Sequence, residues 1–404
     1  MGAITDKGDK ANIVIMGCAC MLALALALCL TGCGDSTSTI GGTASGTSGS
    51  VSAQVQAPQI DGLEFDHAMD LDYATQFDVY YYDNGFKLID VHSSARYLVV
   101  PEGAQAPDGL DKDIVVLQQP LDRIYLCATA CMALVDAVGA IDDVKFTGTN
   151  ASGWEIEAPR AALASGSMTY AGKYSAPDYE TLISGNCNLA LESTMILHVP
   201  EVQEMLTSLE IPVFIERSSY ESEPLGRTEW VKLFGALLNR EQEAEEAFNA
   251  EVGIVEALGD VEDTGKTVVF FSISSDGKVL IRQPEDYISK AIEQAGGRYA
   301  FADIETSDQS ANLAITMEEF YKVASTADYL VYNGMIEDPI STVADLIAKS
   351  EVFSDFAAVK NGNVWTTDRS MYQSTDKIAL MIEDFHTLVA GGGSESMTFL
   401  IKVD

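Results

Sequence analysis

Hydrophobic positions divide the chain into three regimes. Residues Ile13 to Leu30 (IVIMGCACMLALALALCL) form an unbroken apolar run behind Lys7 and Lys10. Residues Gly34 to Glu64 contain no aromatic side chain and no Lys or Arg, and are dominated by Ser, Thr and Gly. From Phe77 onward the apolar residues either alternate or recur at helical steps, the pattern of a folded body. The first regime reads as a signal peptide over 1–32, and its 18 residues also match the lower limit of a membrane-spanning helix. Leu30-Thr31-Gly32-Cys33 is similar to the bacterial lipobox, with Cys33 as the lipidation site. The second regime, 33–59, reads as a flexible tether because it has nothing to bury.

The body opens with β structure. Asp83-Asn84-Gly85 lies between VYYY and FKLIDV, the signature of a hairpin turn. Strand, helix and strand follow at Arg123 to Leu126, Cys127 to Ala140 and Ile141 to Phe146. Leu189 to Leu191, a helix from Pro200 to Leu209 and a strand from Val213 to Ile215 continue the alternation. This predicts an α/β lobe over 60–226 with a β-rich N-terminal extension. Apolar residues from Trp230 to Leu258 recur at three- and four-residue steps, which predicts one amphipathic helix over 227–258, ~45 Å long, acting as a rigid strut. A second α/β lobe is predicted over 259–404: strand Thr267 to Ile273, helices Asp286 to Ala295 and Met317 to Ala324, strand Tyr329 to Asn333, helix Thr342 to Ser350, strand Val364-Trp365 and helix Ile378 to Val389. Two Rossmann-like lobes on one connector leave a cleft between them, the usual place for a small ligand.

Charge and motifs narrow the chemistry. The chain has 404 residues with 24 Lys plus Arg against 61 Asp plus Glu, a formal charge of −37 that would repel nucleic acid and anionic lipid. Of seven cysteines, Cys127, Cys131 and Cys187 lie in the body, an odd number that gives no disulfide framework, and Cys127 and Cys131 read as buried core thiols. Gly259 to Thr267 (GDVEDTGKT) has one residue too many between its glycines for a phosphate loop, and its strand follows where it should precede, so it reads as a turn. His67, His92, His198 and His386 are too scattered for a zinc site. Neither a nucleophile motif nor a dinucleotide fingerprint is present, and the reading is of a binding protein without cofactor or metal of its own.

From about Leu121 to Ala390 the chain resembles the substrate-binding lipoproteins of ABC importers for iron chelates, haem and cobalamin, the helical-backbone class III periplasmic binding proteins. The resemblance is carried by Arg123-Ile124-Tyr125 and its helix through Gly139 and Asp142, Asp178-Tyr179-Glu180 to Leu191-Glu192-Ser193, Glu229-Trp230 with Leu233-Phe234-Gly235, and Phe356 to Trp365 (FAAVKNGNVW). It departs from the pattern at Asn188, where members often have Pro-Asp, and in the length of the extension before Leu121. The resemblance implies lobes held at nearly fixed distance, a monomeric protein, and a permease with its ATPase as partner. It also implies one docking carboxylate per lobe, matched by Glu180 and by Glu318 or Glu319. Both segments also read as helix N-termini (Ser175 with Asp178, Thr316 with Glu319), where acids are favoured without any docking role.

A cleft for a bulky chelate needs aromatic faces and fixed cations. The candidates stand at predicted strand ends, where α/β sheets gather ligand contacts. In the first lobe they are Tyr170, Lys173, Tyr174, Glu192, Ser193, Thr194, Arg217 and Tyr220. In the second they are Ser274, Ser275, Tyr332, Asn333, Arg369 and Tyr372. The function expected is extracytoplasmic capture of a metal chelate for a permease by a lipid-anchored protein. A ligand sensor or surface interaction lipoprotein on the same fold is the alternative.

Overall fold

The predicted β opening is a five-stranded sheet in a computed structural model that describes residues 57–305, 311–335 and 339–404. The apolar run expected to be a signal peptide, Cys33 and most of the segment expected to be a tether lie outside these residues. Strands Phe65–Ala68, Phe77–Tyr82, Lys87–Val91, Arg96–Val100 and Ile114–Gln118 pair in chain order, antiparallel except for the last pair. The turn at Asp83–Gly85 holds Asn84 at φ 56° and Gly85 at φ 82°, left-handed conformations suited to those two residue types.

Strand alternation gives the sheet two apolar faces. Leu88, Leu98 and Val100 pack with Ile60 and Phe86 on one side. Phe77, Val79, Ile89, Tyr97 and Leu117 share a core with Trp230 and Phe234 on the other. The extension is therefore built into the body. Lys87 Nζ, almost fully buried, donates to the carbonyl of Ala236 and to Asn239 Oδ1, each at 2.8 Å, and pairs with Glu241.

Next comes an all-parallel sheet in the order Val213–Glu216, Leu189–Ser193, Ile124–Leu126, Val144–Thr147 and Thr169–Tyr170. The helices Thr129–Ala137 and Pro200–Ser208 fall inside their predicted spans. The last sheet is ordered Asn312–Ile315, Val279–Arg282, Thr267–Ile273, Tyr329–Tyr332, Val364–Thr367 and Leu400–Lys402, with Arg298–Tyr299 also pairing Thr267–Ile273. Its three central strands are parallel to one another and its flanks are antiparallel. Helices Met317–Ala324 and Ile378–Val389 have the predicted limits. This half has a separate core around Phe270, Phe271, Phe320 and Phe385. Residues 259–266 carry neither helix nor strand and connect the hairpin to the strand Thr267–Ile273.

The single strut over 227–258 is corrected. Two helices occupy it, Pro224–Leu238 and Glu241–Ala257. Asn239 adopts φ 56° at the first helix's end and Arg240 has φ −131°, so the chain reverses. The second helix folds back along the first: Lys232 lies 4.5 Å from the Phe248 ring, and a Cβ on Gly235 would meet that of Ala244 at 2.6 Å. Both helices present apolar faces, and the periodicity runs through the break for that reason. The hairpin packs against Thr129–Ala137 on one side and Ile378–Val389 on the other.

Candidate functional site

C-terminal strand ends of the two α/β halves come together. The loop after Val144–Thr147 meets the loop after Val364–Thr367: Glu155 N donates to Gln373 Oε1 at 2.8 Å, Gln373 Nε2 donates to the Gly153 carbonyl at 2.8 Å, and Arg369 Nε donates to Glu155 Oε1 at 3.0 Å. Below them Thr228 Oγ1 donates to the Thr375 carbonyl at 3.0 Å. A cavity of about 30 Å³ lies in this region, with Ser218 of the first half, Arg227 of the hairpin and Tyr287, Tyr372 and Thr375 of the second half in its wall. It has room for about one water.

In the first half, Glu192 stands one residue before the end of the strand Leu189–Ser193 with 0% exposure, and among the described residues its carboxylate oxygens have no partner beyond a weak contact with the Cys127 thiol. Burial pushes its carboxyl up to about 8, which the neighbouring Cys127 thiol only partly offsets. Burial raises that thiol too, so the pocket favours the neutral form of both groups. Ser193 caps the short helix Thr194–His198 by accepting from Met195 N. One strand over, the Arg217 guanidinium lies 4.0 Å from the Tyr220 ring centroid, and its buried Nε is unpartnered among the described residues. Tyr220 is 48% exposed and its hydroxyl reaches Thr194 Oγ1 at 3.4 Å. Tyr170 and Lys173 are exposed on short strands and Tyr174 is half-buried in the turn that follows Lys173, with Tyr125 Oη donating to the Gly172 carbonyl at 2.8 Å. The structure thus brings Thr194, Arg217 and Tyr220 together beside a buried, unsatisfied Glu192.

The second half brings fewer of its candidates together. Asn333 Nδ2 donates to Tyr372 Oη at 2.9 Å. Tyr332 points into the core, edge-on to Phe271, and is fully buried. Ser274 stabilises a hairpin turn, its hydroxyl reaching Asp276 and the Lys278 carbonyl, and exposed Ser275 follows it in the same turn. That turn exists because Val279–Arg282 returns antiparallel.

Residues outside the sequence-derived set also gather here. Arg282 is buried, donates through Nη1 to Asn312 Oδ1 at 2.8 Å and pairs with Asp286 at 3.1 Å. Its guanidinium carbon stands 5.8 Å from the Tyr287 ring and 5.7 Å from that of Tyr372. Arg227 stacks on the Tyr287 ring at 3.6 Å. An arginine closing the apolar strand VLIR was the available signal for Arg282. Glu155 and Gln373 had none, being loop residues whose only distinction is each other. Among the described residues, no three His, Cys, Asp or Glu side chains are grouped to hold a metal ion.

For the acids in the two helix starts, Glu180 is exposed in the first turn of Tyr179–Ser184, where Asp178 and not Ser175 is the cap. Glu319 closes a capping box with Thr316, accepting from its N–H at 2.9 Å and its hydroxyl at 2.7 Å. Glu318 faces solvent and pairs with Lys322 at 2.9 Å.

A family model described as periplasmic binding protein matches residues 132–371, more than half of the chain. An uncharacterized lipoprotein of Methanocaldococcus jannaschii is 23% identical over 345 residues, covering 77% of this chain and 80% of the relative. A periplasmic heme-binding protein from Pseudomonas aeruginosa superposes with a TM-score of 0.54 at 14% identity, covering 70% of this chain and 98% of that one. A petrobactin-binding protein from Bacillus subtilis gives 0.52 at 15% identity, with 66% and 92% covered. At these identities the structural likenesses show the fold.

Proposed function

The chain belongs to the periplasmic binding protein family, and on that premise we propose that it is the extracytoplasmic receptor of an ABC importer, capturing a metal chelate and passing it to a permease. The observation that carries the reading is the convergence of strand ends from two separate α/β cores, with Arg217 and Glu192 left unsatisfied on one side of the seam. Buried polar atoms without partners are rare and costly, and a ligand that supplies the partners removes that cost. The exposed rings of Tyr170 and Tyr220 offer apolar faces to a bulky cargo, and Arg217 offers a donor to its carboxylate, hydroxamate or catecholate oxygens. Ferric siderophores, haem and corrinoids all fit this description. The heme- and petrobactin-binding neighbours support a chelate, and the lipoprotein relative supports lipid anchoring through Cys33.

Docking to the permease falls to Glu180 and, of the second pair, to Glu318. Glu319 is committed to its cap, whereas Glu318 is held by one exposed ion pair that costs little to exchange. Tryptophan fluorescence tests the cargo, with Trp154, buried beside Glu155, as the reporting side chain. Titration with hemin, ferric desferrioxamine and cobalamins is expected to give a saturable response to at least one of them. Tight binding of bare Fe³⁺ or Zn²⁺ with no response to any chelate overturns the reading.

A further inference from the structure

Building on the binding reading above, we infer that Gln373 is a cross-cleft clamp, a positioning residue that fixes the spacing of the two halves before ligand arrives and must let go for ligand to enter or leave. Its amide is matched at both ends. Oε1 accepts the Glu155 N–H and Nε2 donates to the Gly153 carbonyl, each at 2.8 Å, so one side chain grips two backbone groups of the opposite half.

The two surfaces it joins are each braced on their own. On the first, Asn150 Oδ1 accepts Gly153 N at 3.1 Å, and Trp154 Nε1 donates to the Thr149 carbonyl at 3.1 Å with the indole buried. On the second, Asp368 Oδ1 accepts Ser370 N at 2.8 Å and the Gln373 N–H donates to the Ser370 carbonyl at 2.8 Å. Two prebuilt posts are thus joined by a side chain able to release without unfolding either loop. The adjacent Arg369 to Glu155 pair is exposed on the arginine side and adds little holding strength. Two neutral hydrogen bonds, each weak in net terms, suit a contact that opens often and closes again.

A gate has a kinetic signature that a ligand contact lacks. Losing a contact raises the dissociation rate and weakens affinity. Losing a gate that is closed in both the free and the loaded protein raises both rates by the same factor and leaves affinity unchanged. Gln373→Met keeps the side-chain volume and removes both hydrogen bonds. Stopped-flow binding of hemin or ferric desferrioxamine to this variant should show both rates raised about tenfold with an unchanged Kd, a factor equivalent to about 1.4 kcal/mol. An increase confined to dissociation, or no change in either rate, overturns the clamp.

A ligand-free measurement separates failure here from failure of the binding reading. The Glu155 amide should be protected from hydrogen exchange in the wild-type protein and should lose that protection in Gln373→Met. Free exchange at Glu155 in the wild type overturns the clamp whether or not any chelate binds. If neither probe binds while the amide behaves as stated, the clamp stands and the choice of cargo is what fails.

Discussion

The carboxylate of Glu229 accepts the backbone N–H of Tyr73 at 2.8 Å across 156 residues of sequence. It also takes the N–H groups of Asp72 at 2.9 Å and Ala74 at 2.7 Å, and pairs with Lys232 at 3.0 Å, while remaining fully buried. Glu221, eight residues earlier and just ahead of the helix, repeats the device, accepting from Thr75, Gln76 and the Trp230 indole. Two buried acids of the hairpin region thus terminate the backbone of the N-terminal segment.

Replacing Glu229 by Ala leaves three buried N–H groups without their acceptor and takes from the Lys232 ammonium its nearest carboxylate, leaving it the Asp70 carbonyl at 3.3 Å and Glu245 at 3.7 Å. The expected loss is about 3–5 kcal/mol, the range for breaking one partner out of a buried charged network. Urea unfolding of Glu229→Ala beside Lys322→Ala checks it, since the exposed Lys322 pair is worth at most about 0.5 kcal/mol. Equal stabilities for the two variants would show that the Glu229 network holds nothing together.

Stability should fall as pH rises from about 5 to 9. Burial raises Glu192 to about 8, Glu251 to about 7 and Asp376 to about 6. Each is higher in the folded than in the unfolded protein, so the stability tied to its protonated form is full below the unfolded value and is lost through the folded one. Acids with lowered values, such as Glu319, Asp345 and Asp263, act oppositely but have finished titrating below this window. Glu192→Gln should flatten the upper part of the curve and gain on the order of a few kcal/mol at pH 9. A melting temperature that is level from pH 5 to 9 contradicts the assignment.

Arg217→Ala should weaken the preferred chelate by ~1.5–3 kcal/mol if its unpartnered donor meets the cargo. Calorimetry on the variant reads this directly, with Arg160→Ala on the exposed face of a helix as the control. Matching affinities for the two variants would move the ligand away from Arg217.

For docking, Glu180→Ala combined with Glu318→Ala should leave chelate affinity intact and reduce uptake in cells. Glu319→Ala should do the reverse, keeping uptake and costing about 0.5–2 kcal/mol of stability through its broken cap. Wild-type uptake by the Glu180 and Glu318 double variant would end the docking assignment.

Cys33→Ala should release the protein from the membrane fraction. Among the described residues no helix is long and apolar enough to cross a membrane. A variant that stays membrane-bound would overturn lipidation at Cys33 as the anchor.

Most of the regular structure was legible because strands such as Thr267–Ile273 and helices such as Ile378–Val389 announce themselves by period and by flanking turn residues. The hairpin was misread although its break carried a signal: Leu238 is followed by Asn, a residue tolerant of the left-handed conformation, and then by acids suited to a new helix start. The apolar steps simply continued on both sides. Strand-end logic singled out Glu192, Arg217, Tyr332 and Asn333 as a group, but it cannot tell inward from outward, and Tyr332 turned into the core. Glu155 and Gln373 meet across 218 residues through loop backbone, a relation that no local pattern encodes.

The clasp at Glu221 and Glu229 also orders events in time. Strands from Phe65 to Gln118 leave the ribosome first, yet the acceptors for their backbone and the aromatic half of their core arrive only with Trp230, Phe234 and Phe248. Until then the opening sheet has one apolar face uncovered and cannot settle, because its decisive contacts lie far along the chain. The sheet made before the hairpin is thus the later of the two to become stable. A polypeptide ending at residue 220 should accordingly show no cooperative thermal transition, whereas residues 57–404 should show one.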